Sequence, residues 1–260
     1  MNLDVLVLAA GKSTRISPVS AGEPKPLLSL GGRRLIEWSL TWLASHGVRS
    51  VWINLHYRPE SIRAVVGTGE RYGLRVRYSH EPEILGTAGG WRRVVFGTDA
   101  AADGGGAGVR GGGAGTWLVV YGDNVMRFDL AHFVAAHRAY GGLATIALFD
   151  PSVHANTGIA GGRVGIADDG RITEFREGAP AGPGPPSLVN AGAYLLEREV
   201  ADSVAEGFQD FGRDVFPALL GTGRVYGHVL ERRGFCLGLD TPESYRVAQS
   251  LVEGGEVVLR

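Results

Sequence analysis

The chain has 260 residues, 44% of them hydrophobic and 20% charged, with a formal net charge of -1. That suits one globular domain and supplies no basic field, which argues against nucleic acid or an anionic membrane as partner. The only cysteine, Cys236, sits between Phe235 and Leu237, so an internal disulfide or a multi-cysteine metal site is excluded and a core thiol is expected.

Runs rich in aliphatic and β-branched residues predict strands at 5–9, 51–55, 76–79, 117–121 and 143–149. No basic region precedes the first run and no apolar run nears the roughly 20 residues of a spanning helix. A soluble, cytoplasmic protein with no membrane segment is the expectation. Between the first two runs, Leu35, Ile36, Trp38, Leu40, Trp42 and Leu43 give a helix its apolar face, and Gly47 is placed to stop it. This rhythm predicts an α/β fold, a mostly parallel sheet covered on both faces by helices. Residues 100–115 read AAADGGGAGVRGGGAG, a flexible surface insertion by composition. A second Gly/Pro-rich loop, 178–186, separates strands expected at 171–175 and 188–196, which suggest a smaller β lobe of mixed direction.

The first strand runs into Leu8-Ala9-Ala10-Gly11-Lys12-Ser13-Thr14-Arg15, followed by Pro18 and then Glu23-Pro24-Lys25-Pro26-Leu27-Leu28. A P-loop would need glycine where Leu6 stands, and no G-x-G-x-x-G follows the strand. What remains is a cradle of small residues whose backbone N–H groups can approach phosphate oxygens, with Lys12, Arg15 and Lys25 as charge partners.

These two motifs resemble the N-terminal signature of the sugar-1-phosphate nucleotidylyltransferases, the NDP-sugar pyrophosphorylases, which runs L-A-A-G-x-S-T-R, a proline, then P-K-P-L-L. The similarity implies a Rossmann-like, GT-A-like fold spanning 1–260. Its nucleotide-binding half would be mainly 1–150 and its sugar-binding half mainly 151–260. It also implies that the loop from Leu8 through Ala9, Ala10, Gly11, Lys12, Ser13 and Thr14 holds a triphosphate, and that Arg15 and Lys25 neutralise it. Glu81-Pro82-Glu83-Ile84-Leu85-Gly86-Thr87-Ala88-Gly89-Gly90 resembles the family's E-x-x-L-G-T-A-G segment, which would set Glu81, Leu85, Gly86, Thr87 and Ala88 against base and ribose. Tyr121-Gly122-Asp123-Asn124 ends an apolar strand. By resemblance Asp123 is a Mg²⁺ ligand and Asn124 lies by the sugar. Gly162, with Asp168, Gly170 and Ile172 in register, Glu177 in Phe175-Arg176-Glu177, and Asn190 and Gly192 in Val189-Asn190-Ala191-Gly192 match its sugar-binding elements.

The pattern breaks twice. Gly178 replaces a lysine that contacts the sugar phosphate in the family, leaving Arg176 and Arg163 as candidates for that charge. Gly238-Leu239-Asp240-Thr241-Pro242-Glu243 replaces D-x-G-T-P-E, moving the second metal carboxylate by two residues. Alternation along a strand keeps Asp240 on the face of position 238, about 6.6 Å further on. Either Asp240 partners Asp123 around magnesium or it caps the turn at Thr241-Pro242.

The resemblance implies condensation of a nucleoside triphosphate with a sugar 1-phosphate, closest to the mannose- and heptose-1-phosphate guanylyltransferases. A uridylyltransferase of the MurNAc-1-phosphate kind and a non-catalytic nucleotide-sugar-binding regulator stand as alternatives, and homo-oligomerisation stays open. The seven histidines show no H-E-x-x-H spacing. His56 reads as a loop residue, and the tryptophans as core. The end at Arg260 carries the expectation that no C-terminal β-helix follows.

Overall fold

The computed structural model describes residues 3–12, 14–97, 115–157, 161–178 and 188–259. Ser13, the expected insertion up to residue 114 and loop residues 179–186 lie outside them. Among the described residues thirteen strands are formed: β1 Asp4–Leu8, β2 Ser29–Leu30, β3 Arg33–Arg34, β4 Ser50–Leu55, β5 Arg75–His80, β6 Thr116–Tyr121, β7 Asn124–Arg127, β8 Ala144–Phe149, β9 Arg163–Ile166, β10 Ile172–Arg176, β11 Leu188–Glu197, β12 Val225–Val229 and β13 Phe235–Gly238. Nine of them make one sheet in the order β10-β9-β11-β6-β1-β4-β5, with β8 between β11 and β12.

Strands β5, β4, β1 and β6 are parallel neighbours, β8 and β12 are parallel to each other, and β11 runs against β6, β8 and β9. Only β11 and β10 therefore oppose the common direction, so the sheet is mixed but mostly parallel, as the apolar runs predict. The later strands are continuous with this sheet through β11. Gly192, at φ +76°, bulges β11 between Asn190 and Tyr194 where it leaves register with β8.

Alternation along β1 feeds both faces. Val5 and Val7 pack with Ile36, Leu40, Ile53 and Val120 on one side. Leu6 and Leu8 pack with Trp91, Trp117 and Val119 on the other. The helix Leu35–Ser45 starts where Glu37 Oε2 accepts from Arg34 N (2.9 Å) and ends before Gly47 at φ +82°, the predicted stop. Trp38, Trp42, Trp91 and Trp117 are buried, as expected, while Trp52 is half-buried. Cys236 is buried as well, its Sγ donating to Ala191 O (3.2 Å), and burial pushes the thiol up to about 12.

Two consequences position a site. In register, Leu8 pairs with Asn54 on β4 and with Tyr121 on β6, so the loops leaving these three strands emerge together at their C-terminal edge, where parallel sheets bind ligands. Separately, β13 pairs antiparallel with β7, Gly238 opposite Asn124. Asp123 immediately precedes β7 and Asp240 follows β13 by two residues, so the antiparallel pairing brings both carboxylates to one end of the ribbon.

Candidate functional site

The loop after β1 is held from beneath. Ala9 N donates to Asn54 Oδ1 (2.8 Å), Asn54 Nδ2 donates to Glu81 Oε1 (2.7 Å), and Glu81 Oε2 accepts from Leu85 N (3.0 Å). His56 Nδ1 adds a contact to Glu81 O (2.8 Å), which is the loop role expected of it. Burial, against the hydrogen bonds from Leu85 and Asn54, holds the Glu81 carboxyl above its ordinary range. Glu81 is fully buried. The expectation that it meets the base is corrected: its side chain fastens the β1 loop to the next turn and does not line the cavity. Asn54 was not singled out in the sequence, although a lone amide inside the apolar run 51–55 was the available signal.

The small residues of the Gly86–Phe96 helix also do a different job from the one expected. A Cβ at Gly86 would collide with Gln209 O, one at Gly89 would lie 2.5 Å from Gly207 O, and one at Gly90 would lie 2.5 Å from Glu81 Oε1. They admit a crossing chain segment and the buried Asn54–Glu81 pair, and Ala88 is fully buried. Leu85 contributes its backbone to the same fixing, while Gly86 and Thr87 do reach the cavity wall.

That cavity holds about 220 Å³ and is lined by Leu8, Ala9, Ala10 and Gly11 from the β1 loop, by Asn54, Ile84, Gly86 and Thr87, and by Tyr121 and Asp123 beyond β6. Pro26 lines it too, and it is completed by Phe208 and Asp210. Neither was anticipated. Asp210 accepts from Thr87 Oγ1 (3.0 Å) and from Gly212 N (3.0 Å), linking the cavity wall to the turn at Phe211–Val215. Gly122, between β6 and Asp123, donates its N–H to Leu8 O (2.9 Å), and a Cβ there would lie 2.8 Å from Val7 Cγ1.

The charged centre stands at the edge of this cavity. Lys25 opens a short 3-10 turn, Lys25–Leu27, between two prolines that set its backbone. Its side chain is 2% exposed, with Nζ 2.9 Å from Asp123 Oδ2 and 2.7 Å from Asp240 Oδ1. Burial lowers the ammonium's affinity for its proton, but the charges of Asp123 and Asp240 outweigh it, so Lys25 stays cationic to higher pH than usual. Asp240 shows the reverse balance: burial would raise it, yet Lys25 and then Arg15 hold it below the ordinary 3.8. Arg15 NH2 lies 3.6 Å from Asp240 and is 65% exposed, anchored by the buried Ile16 beside it. Lys12 and Thr14 are exposed on the same loop. Asp240 does not cap the following helix. Thr241 does, its Oγ1 accepting from Ser244 N (3.1 Å), and the capping alternative is thereby excluded.

On the far side, the expected hairpin is present as β9 and β10. A Cβ at Gly162 would lie 2.7 Å from the Phe175 ring and 2.8 Å from Glu177 Oε2, and one at Gly212 would collide with Glu177. The two glycines therefore clear a slot for the Glu177 carboxylate. Desolvation, with help from Asp210 and against Arg15, raises that carboxyl above 4.5. Asn190 is less available than expected: Oδ1 accepts from Gly192 N (2.9 Å) and Nδ2 donates to the Tyr194 hydroxyl (2.8 Å), so its side chain locks the β11 bulge. Gly192 lets that bulge pack on buried Asn124, whose Nδ2 would be 3.0 Å from a Cβ at 192. Arg176, a candidate for the missing lysine's charge, pairs with Glu174 at the surface.

Among the described residues no helix is long and apolar enough to cross a membrane, and no group of three or more His, Cys, Asp or Glu side chains is poised on a metal. Two carboxylates converging on one cation offer the hard oxygen donors that Mg²⁺ takes, which needs only one or two of them. The residues fit such an ion.

A mannose-1-phosphate guanylyltransferase of Mycobacterium tuberculosis is 31% identical over 97% of this chain and 65% of its own length. A UTP--glucose-1-phosphate uridylyltransferase of Synechocystis is 29% identical over 85% of this chain and 56% of its own. The chain thus spans between half and two thirds of the curated relatives it matches. In fold it superposes on HddC from Yersinia pseudotuberculosis with a TM-score of 0.75 and 22% identity, over 95% of this chain and 98% of that one. Residues 4–250 match the family described as Nucleotidyl transferase, and the chain belongs to that family.

Proposed function

We propose that this chain joins a nucleoside triphosphate to a sugar 1-phosphate, giving an NDP-sugar and pyrophosphate. GTP is the favoured nucleotide and a mannose- or heptose-type 1-phosphate the favoured acceptor. The observation that carries the reading is Lys25, buried between Asp123 and Asp240 at the edge of a cavity floored by Leu8, Ala9, Ala10 and Gly11. An acceptor phosphate oxygen attacks the α-phosphorus in line, a P–O bond forms, and the bond to the bridging oxygen breaks to release pyrophosphate. A phosphate monoester is largely dianionic at pH 7, its second pKa being about 6, so no general base is needed. Catalysis then reduces to positioning and charge neutralisation.

The chain's own groups divide that work. Backbone N–H groups from Ala10 to Lys12 face the triphosphate, and Arg15 and Lys25 meet its oxygens. Glu177, in the slot cleared by Gly162 and Gly212, accepts hydrogen bonds from sugar hydroxyls. Asp123 and Asp240 would hold Mg²⁺, which when bound supplies further neutralisation of phosphate charge.

The choice of GTP is supported by the guanylyltransferase relative and by HddC having been crystallised in complex with GMP-PN. UTP is the second reading, supported by the uridylyltransferase relative. Pyrophosphate release measured over a panel of triphosphates and sugar 1-phosphates tests both at once. Release with GTP and mannose 1-phosphate or a heptose 1-phosphate supports the first, and release with UTP alone supports the second. Tight nucleotide-sugar binding with no release under any pairing supports a regulator instead.

A further inference from the structure

Residues 207–210 cross in front of the first turn of the Gly86–Phe96 helix as an arch, and backbone hydrogen bonds fix them there. Gln209 N donates to Leu85 O (2.9 Å), while Gln209 O accepts from Ala88 N (2.9 Å) and Gly89 N (3.2 Å). The arch passes so close that Cβ atoms at Gly86 and Gly89 would meet its backbone. Gly89 lies inside the helix, where glycine is destabilising relative to alanine, and Gly86 opens it at φ +73°, a conformation glycine adopts without strain; helix stability is given up at Gly89 to bring this arch against the cavity.

The arch presents two side chains there, Phe208 and Asp210. Asp210 is engaged by Thr87 and Gly212. Phe208 is 47% exposed, and Ile84, on the turn to which the arch is hydrogen-bonded, is 37% exposed. Exposed apolar side chains scattered singly need no explanation, but these two line one cavity. Arg213 lies over the Phe208 ring, 5.2 Å from its centroid, which favours one orientation of the aromatic plane.

We propose that Phe208, with Ile84 beside it, grips the flat face of the nucleobase, so that the nucleotide is held by apolar stacking at one end and by Arg15 and Lys25 at the other. This rests on the reading that the triphosphate occupies this cavity. Every base has a π-face, so stacking adds affinity without choosing among bases. Phe208 therefore sets how tightly a nucleotide binds, and discrimination falls to groups at the base edge.

Calorimetric titration of the wild type, Phe208→Ala and Phe208→Tyr with GTP, UTP and inorganic tripolyphosphate, all with Mg²⁺, tests this. Phe208 is exposed, so its truncation leaves the fold intact, and circular dichroism checks that. The expected result is a dissociation constant for GTP raised roughly tenfold in Phe208→Ala, with a similar factor for UTP. Tripolyphosphate binding stays unchanged and Phe208→Tyr behaves as wild type. Unchanged GTP binding in Phe208→Ala overturns the proposal, as does an equal loss for tripolyphosphate or a loss confined to one base. A wild type that binds neither nucleotide nor tripolyphosphate instead overturns the underlying assignment of the cavity.

Discussion

Lys25 Nζ lies 2.7 Å from Asp240 Oδ1 across 215 positions of sequence, and the same ammonium lies 2.9 Å from Asp123 Oδ2. One buried cation thus serves two carboxylates that the β7–β13 ribbon would otherwise leave facing each other. Removing one partner of a buried charge pair is costly because the remaining charge is left uncompensated. Lys25→Met leaves Asp123 without its cation and Asp240 with only the exposed Arg15, whereas Asp240→Asn leaves no buried charge unpaired, since Lys25 keeps Asp123. We expect Lys25→Met to lose about 2–4 kcal/mol of unfolding free energy in denaturant titrations, reduced somewhat by the partial exposure of the carboxylates, and Asp240→Asn clearly less. Equal losses would mean that the pairing is not what holds the segment. Turnover in Lys25→Met should fall at least about a hundredfold under conditions where it remains folded.

The position of Asp240 makes its own prediction. It replaces a carboxylate expected two residues earlier, and the structure brings it to the same cation as Asp123. In Asp240→Ala the Mg²⁺ concentration giving half-maximal turnover should rise about tenfold or more if, as proposed, Asp240 is one of two oxygen donors. An unchanged Mg²⁺ requirement would leave Asp123 as the sole protein ligand.

Gly90 offers a test of the scaffold alone. It lies within a helix, where alanine is ordinarily favoured by about 1 kcal/mol. Yet a Cβ there would lie 2.5 Å from Glu81 Oε1 and 2.7 Å from Asn54 Nδ2, the pair that anchors the β1 loop. Gly90→Ala is therefore expected to lower the melting temperature by several degrees, while Gly221→Ala, whose Cβ meets nothing within 4 Å, leaves it unchanged or slightly raised. The contrast in thermal melts checks the argument without any assay of activity.

Much of this arrangement is legible in the sequence where the signal is local. The cradle from Leu8 to Gly11 is contiguous, Lys25 is framed by prolines, and Asp123 follows closely on a strand whose apolar run is unmistakable. The place of Asp240 was only partly legible: alternation along a strand was extended to it, but β13 ends at Gly238, and it is the long-range pairing of β13 with β7 that brings the carboxylate beside Asp123. The arch at 207–210 was not legible. Its partner, Thr87, lies 123 positions from Asp210, and nothing around Phe208 marks it locally. A similar distance hides why Gly86 and Gly89 are glycines, since their close neighbours are Gln209 and Gly207, while Gly90 clears the nearer Asn54–Glu81 pair. Glu81 was misread for a related reason, since a motif gives a residue's identity but not the side of the loop its carboxylate faces.

Glu177 is placed where binding and stability pull apart. Its carboxyl is raised above the ordinary 4.5 by desolvation and by Asp210, with Arg15 opposing. Below that value the group is protonated in both folded and unfolded chains and contributes no difference. Above it, the unfolded chain gives up the proton more readily, so ionisation works against folding as pH rises from 4.5 through the raised folded value. Glu177→Gln should therefore melt higher than wild type at pH 7 and match it at pH 4, by a small margin because the residue remains substantially exposed. The same substitution should raise KM for the sugar 1-phosphate while leaving KM for the nucleotide near its original value, since an amide accepts hydroxyl hydrogen bonds less strongly than a carboxylate. A gain in stability bought with a loss of acceptor affinity is the pattern expected of a residue retained for binding. A variant that is no more stable at pH 7 than at pH 4, relative to wild type, would show that the slot between Gly162 and Gly212 does not strain the charge it holds.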